Sequence, residues 1–372
     1  METESADGMQ VRVLPLKQRR SKHSIEDIRI DPQAPAPAAG ALLPVIEQTA
    51  AAIRRARARG AAVILAYGAH LIKNGLASVV EMLLAGGWVT HLATQGAGTI
   101  HDWEYAFQGH SEEDVRANLA HGCFGTWDET GRYINLAVTA GAVDGLGYGA
   151  ALGRFIVDHG CVLPPPAQLA ASVRAWAAQP YDDPLMPARA ELLQLMTRFN
   201  LSGGPVRVEH PYAGCSLTAA AWRLSVPLTV HPGIGYDIIY THPQTSGAAL
   251  GRAAHTDFRK LVRSVEHLHG GVLLSVGSAI MAPQVFEKAI AVVNNLRRQR
   301  GHDALQPFIV VNDLAPAAWD WNAGEPPADN PAYYLRFLKS FSRAGGRMVY
   351  AAGDNRVFVH NLLHALTMGT QG

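Results

Sequence analysis

Short, mostly apolar runs alternate along this chain with stretches in which apolar residues recur at helical spacing. Ala61–Ala66, Val89–Ala93, the run ending in Thr229-Val230, Gly271–Val276, Phe308–Val311 and Arg347–Ala351 are of the first kind. Ala61–Ala66 is continuous, the mark of a strand buried on both faces of a parallel sheet, and the others read as strands beside it. Helical spacing covers Leu43–Arg59 (with Gly60 as a stop), Asn74–Ala85, a helix starting in Trp103–Phe107, Cys215–Leu224, Asp257–His269, Pro283–Arg297, Tyr333–Arg343 and Val357–Met368. Strand, glycine loop and helix in repeated succession predict a doubly wound α/β fold with about six or more parallel strands.

Other segments refine that outline. Residues 1–40 are expected to be a partly disordered tail or arm: 1–10 are acidic and polar, Val11–Leu16 could form a short strand, and 31–40 is a Pro/Ala-rich linker. The basic run Lys17–Lys22 could bind an acidic partner, but better fits a solvated tail or an arm reaching a neighbouring subunit. Residues 41–372 are expected to form a single domain with a helical insertion at 164–200, where Ala167–Ala178 and Pro187–Phe199 flank the turn Tyr181-Asp182-Asp183-Pro184. Ser111 followed by Glu112, Glu113 and Asp114 reads as a helix N-cap with acids in the first turn. The glycine-rich stretch Ala137–Leu152 is compatible with more than one structure.

Composition narrows the function classes. With 32 basic and 31 acidic residues among 372, the formal charge is +1, which gives no general field for nucleic acid or an anionic membrane. Hydrophobic residues at 48% and charged residues at 17% fit an enzyme-like globule with a large core. The cysteines Cys123, Cys161 and Cys215 are widely spaced, which suits a reduced, cytoplasmic compartment. No apolar run reaches the roughly 18 residues of a membrane span. Sixteen histidines invite a metal site, but no His-x-x-x-His pair sits with a third ligand in sequence, so none is assigned.

The chemistry should lie at the strand ends, because the carboxyl ends of parallel strands share one edge. Five carry glycine or small residues followed by a polar group: Gly68-Ala69-His70, Gln95-Gly96-Ala97-Gly98, His231-Pro232-Gly233-Ile234-Gly235 with Asp237, Gly277-Ser278-Ala279, and Gly353-Asp354-Asn355. Such loops can set backbone N–H groups around a pyrophosphate. No complete Gly-x-Gly-x-x-Gly fingerprint follows the first strand, so spacing alone allows a dinucleotide or a smaller ligand. Asp237 is a candidate substrate-binding carboxylate or a turn acid. His231 could bind or catalyse, or simply precede the proline of a turn. His101-Asp102 could be an acid–base pair, with an N-cap role for Asp102 as the alternative. Lys73 fits a helix-start surface lysine.

In order from about residue 61 to 366, the chain resembles deoxyhypusine synthase and its bacterial relatives. Ala69-His70-Leu71-Ile72-Lys73-Asn74-Gly75 is similar to that family's Ser-Asn-Leu-Ile-Ser-Ser-Gly loop, and Val89–Asp102 to its Val-Asp-Val-Leu-Val-Thr-Thr-Ala-Gly-Gly-Val-Glu-Glu-Asp. The stretch 226–243 resembles Ile-Pro-Val-Phe-x-Pro-Ala-Leu-Thr-Asp-Gly-Ser-Leu-Gly-Asp with one extra residue, and Gly271–Ala279 resembles Gly-x-Ile-Ile-Leu-Gly-Gly-Gly-Val. The resemblance implies a Rossmann-like NAD-binding domain and a homotetramer. It implies Ala69, His70, Thr94, Gln95, Gly96, Gly277, Ser278, Asn312 and Asp354 near NAD, and Asp237 facing the substrate. Departures are equally plain: Ile100 and His101 replace the family's paired glutamates, and its Trp-Gly-Lys has no clear match, although Lys339 falls close to its lysine. The expectation is therefore an NAD-dependent oxidoreductase or transferase acting on a small polar or amine-bearing substrate, not one making deoxyhypusine. His101 or His231 would move the proton, with Asp237 and Lys339 as further catalytic candidates. A lyase or hydrolase without NAD, or a nucleotide-sensing binding protein, are the alternatives.

Overall fold

The computed structural model describes residues 11–367; the expectation of disorder over 1–10 lies outside them, as does Met368. The described chain divides into two compact units. One takes in the chain up to Asp27, Thr99–Trp222 and Pro232–Asp257. The other takes in Ile28–Gly98, Arg223–His231 and the chain from Phe258 onward.

The second unit holds a parallel six-stranded sheet: β1 (Val63–Tyr67), β2 (His91–Thr94), β3 (Leu228–Val230), β4 (Val272–Val276), β5 (Phe308–Asp313) and β6 (Arg347–Ala352). Across the sheet the order is β6-β5-β4-β1-β2-β3. Every apolar run singled out in the sequence is one of these strands, and β1, β2 and β4 are buried at every position. Burial on both faces explains why those runs do not alternate.

Successive residues point to opposite faces, so each strand feeds two cores. On one face Ile64, Ala66, Leu273, Ile309 and Val311 pack with Leu261, Val265, Phe286, Ile290 and Phe341 from helices Gly247–Glu266, Met281–Gln299 and Arg336–Arg343. The other face is covered by helices that include Leu43–Ala58, whose buried Ile46, Thr49, Ala50, Ile53 and Ala56 follow helical spacing, and Asn355–Thr367. The register is level: Tyr67 pairs with Thr94 and Val276, Thr94 with Val230, Val276 with Asn312, and Asn312 with Ala351. The residues that follow each strand therefore start from one row. This is the doubly wound, Rossmann-like α/β fold, with the strand order 3-2-1-4-5-6.

The first unit is mainly helical, with helices that include Asp128–Gly141, Tyr148–Val157, Pro166–Ala178 and Met186–Arg198, and two short antiparallel ribbons. The ambiguous glycine-rich stretch forms parts of the first two helices. Its glycines admit close neighbours: a Cβ on Gly141 would stand 2.5 Å from the Ala151 Cβ. The ribbons, His23–Ser24 with His110–Ser111 and Gly160–Leu163 with Gly204–Arg207, are not evident in the sequence pattern. No strand forms at 11–16; Leu14 makes only an isolated bridge to Trp127.

Two expectations are corrected here. Within the basic run, Arg19 is not a solvated group. It is 9% exposed and bidentate to the buried Glu104, with both N–O distances 2.7 Å. Ser111 is not a helix cap. Its hydroxyl donates to Glu104 (2.6 Å), and Asp114 instead caps helix Val115–Ala120 by accepting from the Ala117 N–H. The cause is one carboxylate: buried Glu104 gathers Arg19, Ser111 and Thr130 (2.8 Å) around it. Burial alone would raise the Glu104 carboxyl, but the Arg19 guanidinium, with help from His101 and Ser111, holds it below its ordinary value.

Replacing Glu104 with Gln strands a buried guanidinium and should cost about 3–5 kcal/mol in urea unfolding. A carboxylate with a lowered folded pKa stabilises above its unfolded pKa and loses that contribution as pH falls through the folded one. The wild-type protein should therefore lose stability below about pH 4.5. Glu104→Gln should flatten that decline.

Candidate functional site

Between β1 and β4 the chain connections diverge, and in doubly wound sheets such a switch point opens the crevice in which ligands bind. Gly68 follows β1 and Gly277 follows β4. The Gly68 N–H donates to the Val276 carbonyl (3.0 Å), and a Cβ on Gly68 would stand 1.9 Å from the Gly277 carbonyl oxygen. Only glycine allows that approach. Gly277 has φ +58°, the left-handed region, and a Cβ there would meet nothing nearer than Asn355 Nδ2 at 3.9 Å. The space over Gly277 is open backbone cradle.

Around this point stand the other cofactor-side candidates. Ala69 is half-buried and His70 exposed in the short helix Ala69–Lys73. Ser278 uses its hydroxyl locally, accepting from the Ala282 N–H (3.2 Å) at the start of helix Met281–Gln299. Asn312 is 1% exposed; its amide donates to the Ala351 and Gly353 carbonyls (2.9 Å each), while Oδ1 has no hydrogen-bond partner among the described residues. Oε1 of Gln95, one residue past β2, is likewise buried without a partner there. Both acceptors lie near the row of strand ends.

Thr94 and Asp354 are committed elsewhere. The Thr94 hydroxyl donates to the Tyr67 carbonyl (2.9 Å), tying β2 to β1 beneath the edge. Asp354 accepts from the Arg356 backbone and guanidinium (2.8 and 2.6 Å), and those bonds hold its carboxyl below the usual range. Gly96 is buried at the start of helix Gly96–Gln108.

His231 immediately follows β3, so the register brings it onto the row of Gly68, Gln95 and Gly277. Its N–H donates to the Thr94 carbonyl (2.8 Å) and its Nε2 lies 3.1 Å from the Thr229 hydroxyl. Thr229 in turn lies 2.9 Å from Nε2 of His91, whose Nδ1 is 2.8 Å from the Ser264 hydroxyl. Burial pushes His231 down to about 4; burial, then His231 and Lys260, push His91 down to about 3. His91, Thr229 and Ser264 were not singled out in the sequence. A histidine opening an apolar run was the available signal.

The remaining candidates are Lys339, His101 and Asp237. Lys339 sits 3.6 Å above the Tyr333 ring and 3.8 Å from Glu325. His101 and Asp237 belong to the other unit. His101 places Nδ1 2.8 Å from the Ser111 hydroxyl, while Asp102 caps helix Leu217–Arg223 by accepting from the Ser216 hydroxyl and the Leu217 and Thr218 N–H groups. Adjacent on one helix, the two have these different hydrogen-bond partners. Asp237 is 5% exposed and accepts from the Gly233 N–H (2.7 Å), closing its own loop. Among the described residues no group of three or more His, Cys, Asp or Glu is arranged to hold a metal ion, and no helix is long and apolar enough to cross a membrane.

No family model and no curated protein matches the chain. Among solved structures it is similar to unliganded AgrE, at 14% identity and a TM-score of 0.43, covering 88% of this chain and 33% of AgrE. It is also similar to a LOR/SDH protein from Methanococcus maripaludis S2, at 10% identity and 0.41, covering 96% and 76%. A chain assigned as a deoxyhypusine synthase from Entamoeba histolytica matches at 10% identity and 0.35, covering 83% and 76%. The chain spans about a third of AgrE's length. The fold class stands on the strand order and the level row of strand ends.

Two outcomes test this geometry. Asn312→Asp would aim a carboxylate at the Ala351 and Gly353 carbonyls and should cost about 1–3 kcal/mol in denaturant unfolding. Native imidazoles kept neutral below their ordinary 6.5 mean that the unfolded chain binds more protons between pH 6.5 and about 4. Stability should therefore fall as pH falls through that window, and a flat urea-midpoint profile there would contradict the buried neutral rings.

Proposed function

We propose that this protein is an NAD-dependent enzyme that oxidises a small polar substrate, an alcohol or amine, with the dinucleotide lying along the carboxyl edge of the sheet. The observation that carries this reading is the β1/β4 switch point, with its open cradle at Gly277 and the unpartnered acceptors of Gln95 and Asn312 beside it. The residues suit the group. The backbone from Gly277 into helix Met281–Gln299 and the loop at Ala69-His70 offer N–H donors for phosphates, and Asn312 Oδ1 and Gln95 Oε1 would accept from ribose hydroxyls or a carboxamide. β3 lies two strands from β1, roughly 10 Å along the edge. A ligand in the crevice must be extended to come near His231, which favours a dinucleotide over a compact ligand.

Bound there, NAD supplies the acceptor for a hydride leaving a substrate carbon. His231 takes the proton from the substrate's hydroxyl or amino group, so that the carbon reaches the carbonyl or imine level. Lys339, which contacts Glu325 and Tyr333, is given no part in this reading, which assigns a reaction other than deoxyhypusine synthesis.

NAD at a hundredfold excess over its Kd should raise unfolding stability by about 2.7 kcal/mol, seen as a shift in Tm. Gly277→Asn, a residue that tolerates left-handed backbone but fills the cradle, should keep the fold and weaken NAD binding at least about tenfold, or 1.4 kcal/mol. Binding unchanged by Gly277→Asn, or no NAD-induced shift in the wild-type protein, would end the cofactor reading. A panel of amines and alcohols followed by NAD reduction would then identify the substrate.

A further inference from the structure

We propose that Ser264, His91 and Thr229 form a proton wire that sets which nitrogen of His231 carries a proton and connects that imidazole to solvent. The four side chains lie in file on one face of the sheet. His91 begins β2, Thr229 is central in β3, His231 follows two residues later on the same side, and Ser264 comes from helix Gly247–Glu266. The contacts run Ser264 Oγ to His91 Nδ1 at 2.8 Å, His91 Nε2 to Thr229 Oγ1 at 2.9 Å, and Thr229 Oγ1 to His231 Nε2 at 3.1 Å. His91 and Thr229 are fully buried, and Ser264 is half-buried.

A threonine hydroxyl has one proton. Standing between two ring nitrogens, Thr229 donates to one and accepts from the other; its remaining neighbour, the Leu92 carbonyl, is more distant at 3.4 Å. Two arrangements follow. In the first, Ser264 donates to His91 Nδ1, His91 Nε2–H donates to Thr229, and Thr229 donates to His231 Nε2. His231 then carries its proton on Nδ1 and can act as an acid there. In the second, every bond is reversed: His231 Nε2–H donates to Thr229, Thr229 to His91 Nε2, and His91 Nδ1–H to Ser264. His231 Nδ1 is then a base.

The two arrangements interconvert with a balanced transfer. A proton taken up at His231 Nδ1 is matched by the Nε2 proton passing to Thr229, the threonine proton to His91 Nε2, and the His91 Nδ1 proton to Ser264. The original Ser264 proton leaves to water, which the half-buried hydroxyl can reach. Neither ring becomes a cation in either end state. That matters because burial holds both rings far below neutrality, so a lone His231 would be a poor base at pH 7. The inference uses the proposed function only for the group that delivers the proton.

The test reads tautomers by long-range proton–nitrogen correlation on histidine-labelled full-length protein at pH 7, without NAD or substrate. Both rings should be neutral and complementary: whatever fraction of His231 is protonated on Nδ1, the same fraction of His91 should be protonated on Nε2. Ser264→Ala, which does not touch His231, should shift the His231 tautomer ratio. Thr229→Val should abolish the complementarity, and Thr229→Ser should restore it. An imidazolium signature on either ring, a shared Nε2–H tautomer, or a His231 ratio untouched by both Ser264→Ala and Thr229→Val would overturn the wire. Complementary tautomers in a protein that fails to bind NAD would keep the wire and remove only the cofactor reading.

Discussion

At the centre of the sheet two strands end in backbone alone. Gly68 and Gly277 meet so closely that a single Cβ on the first would overlap the carbonyl of the second. Close backbone approach at a sheet edge is the use for which glycine has no substitute. It keeps the ends of β1 and β4 level, and the register carries that level outward to β2 and β3 on one side and to β5 and β6 on the other. The left-handed turn at Gly277 then leads the chain away into helix Met281–Gln299 on one face, while Ala69 leads to the other. A level row of strand ends with a backbone contact at its middle is the consequence.

β3 is the sheet's weakest member by length. It has three residues, occupies an edge, and both of its connections run through the other unit. Its hold on the sheet is correspondingly polar. The His231 N–H reaches Thr94, and the Thr229 hydroxyl reaches His91 within the buried layer. Each such bond contributes about 1 kcal/mol net, but an unmade partner in that layer would cost more. The polar file that handles protons thus also fixes the strand that carries His231. Anchoring and proton handling are not separable by deleting the strand, only by changing one hydroxyl at a time.

The strands were legible because burial on two faces leaves a local mark, an apolar run without alternation. The strand-end candidates were legible for a related reason: a parallel sheet places every such loop on one edge whatever the sequence between them. What escaped the sequence depends on partners far along the chain. Arg19 looked like one of a run of solvated cations until Glu104, 85 residues on, received it. Asp102 stood beside His101 in sequence, yet its hydrogen bonds go to 216–218. Lys339 was close to the expected position by counting, but counting carries no information about Tyr333 and Glu325 turning toward it. The ribbons escaped because strands of two to four residues leave too short a period to read.

The chemistry of the row is set by what it lacks. Its carboxylates are committed and its other polar groups neutral: Asp354 is paired with Arg356, Asp313 accepts from the Ala315 N–H, Asn312 is an amide, and His231 is held near a pKa of 4. Forming an imidazolium on His231 at pH 7 would cost about three pKa steps, roughly 4 kcal/mol. An imidazole of that kind cannot store a proton as charge and, to exchange one, must pass it on. Passing it on requires a hydroxyl within reach of the ring, a second neutral acceptor behind it, and an outlet to water. Thr229, His91 and Ser264 supply these in order. The low dielectric that makes a charged histidine unfavourable is also what strengthens each bond of the chain that makes the charge unnecessary.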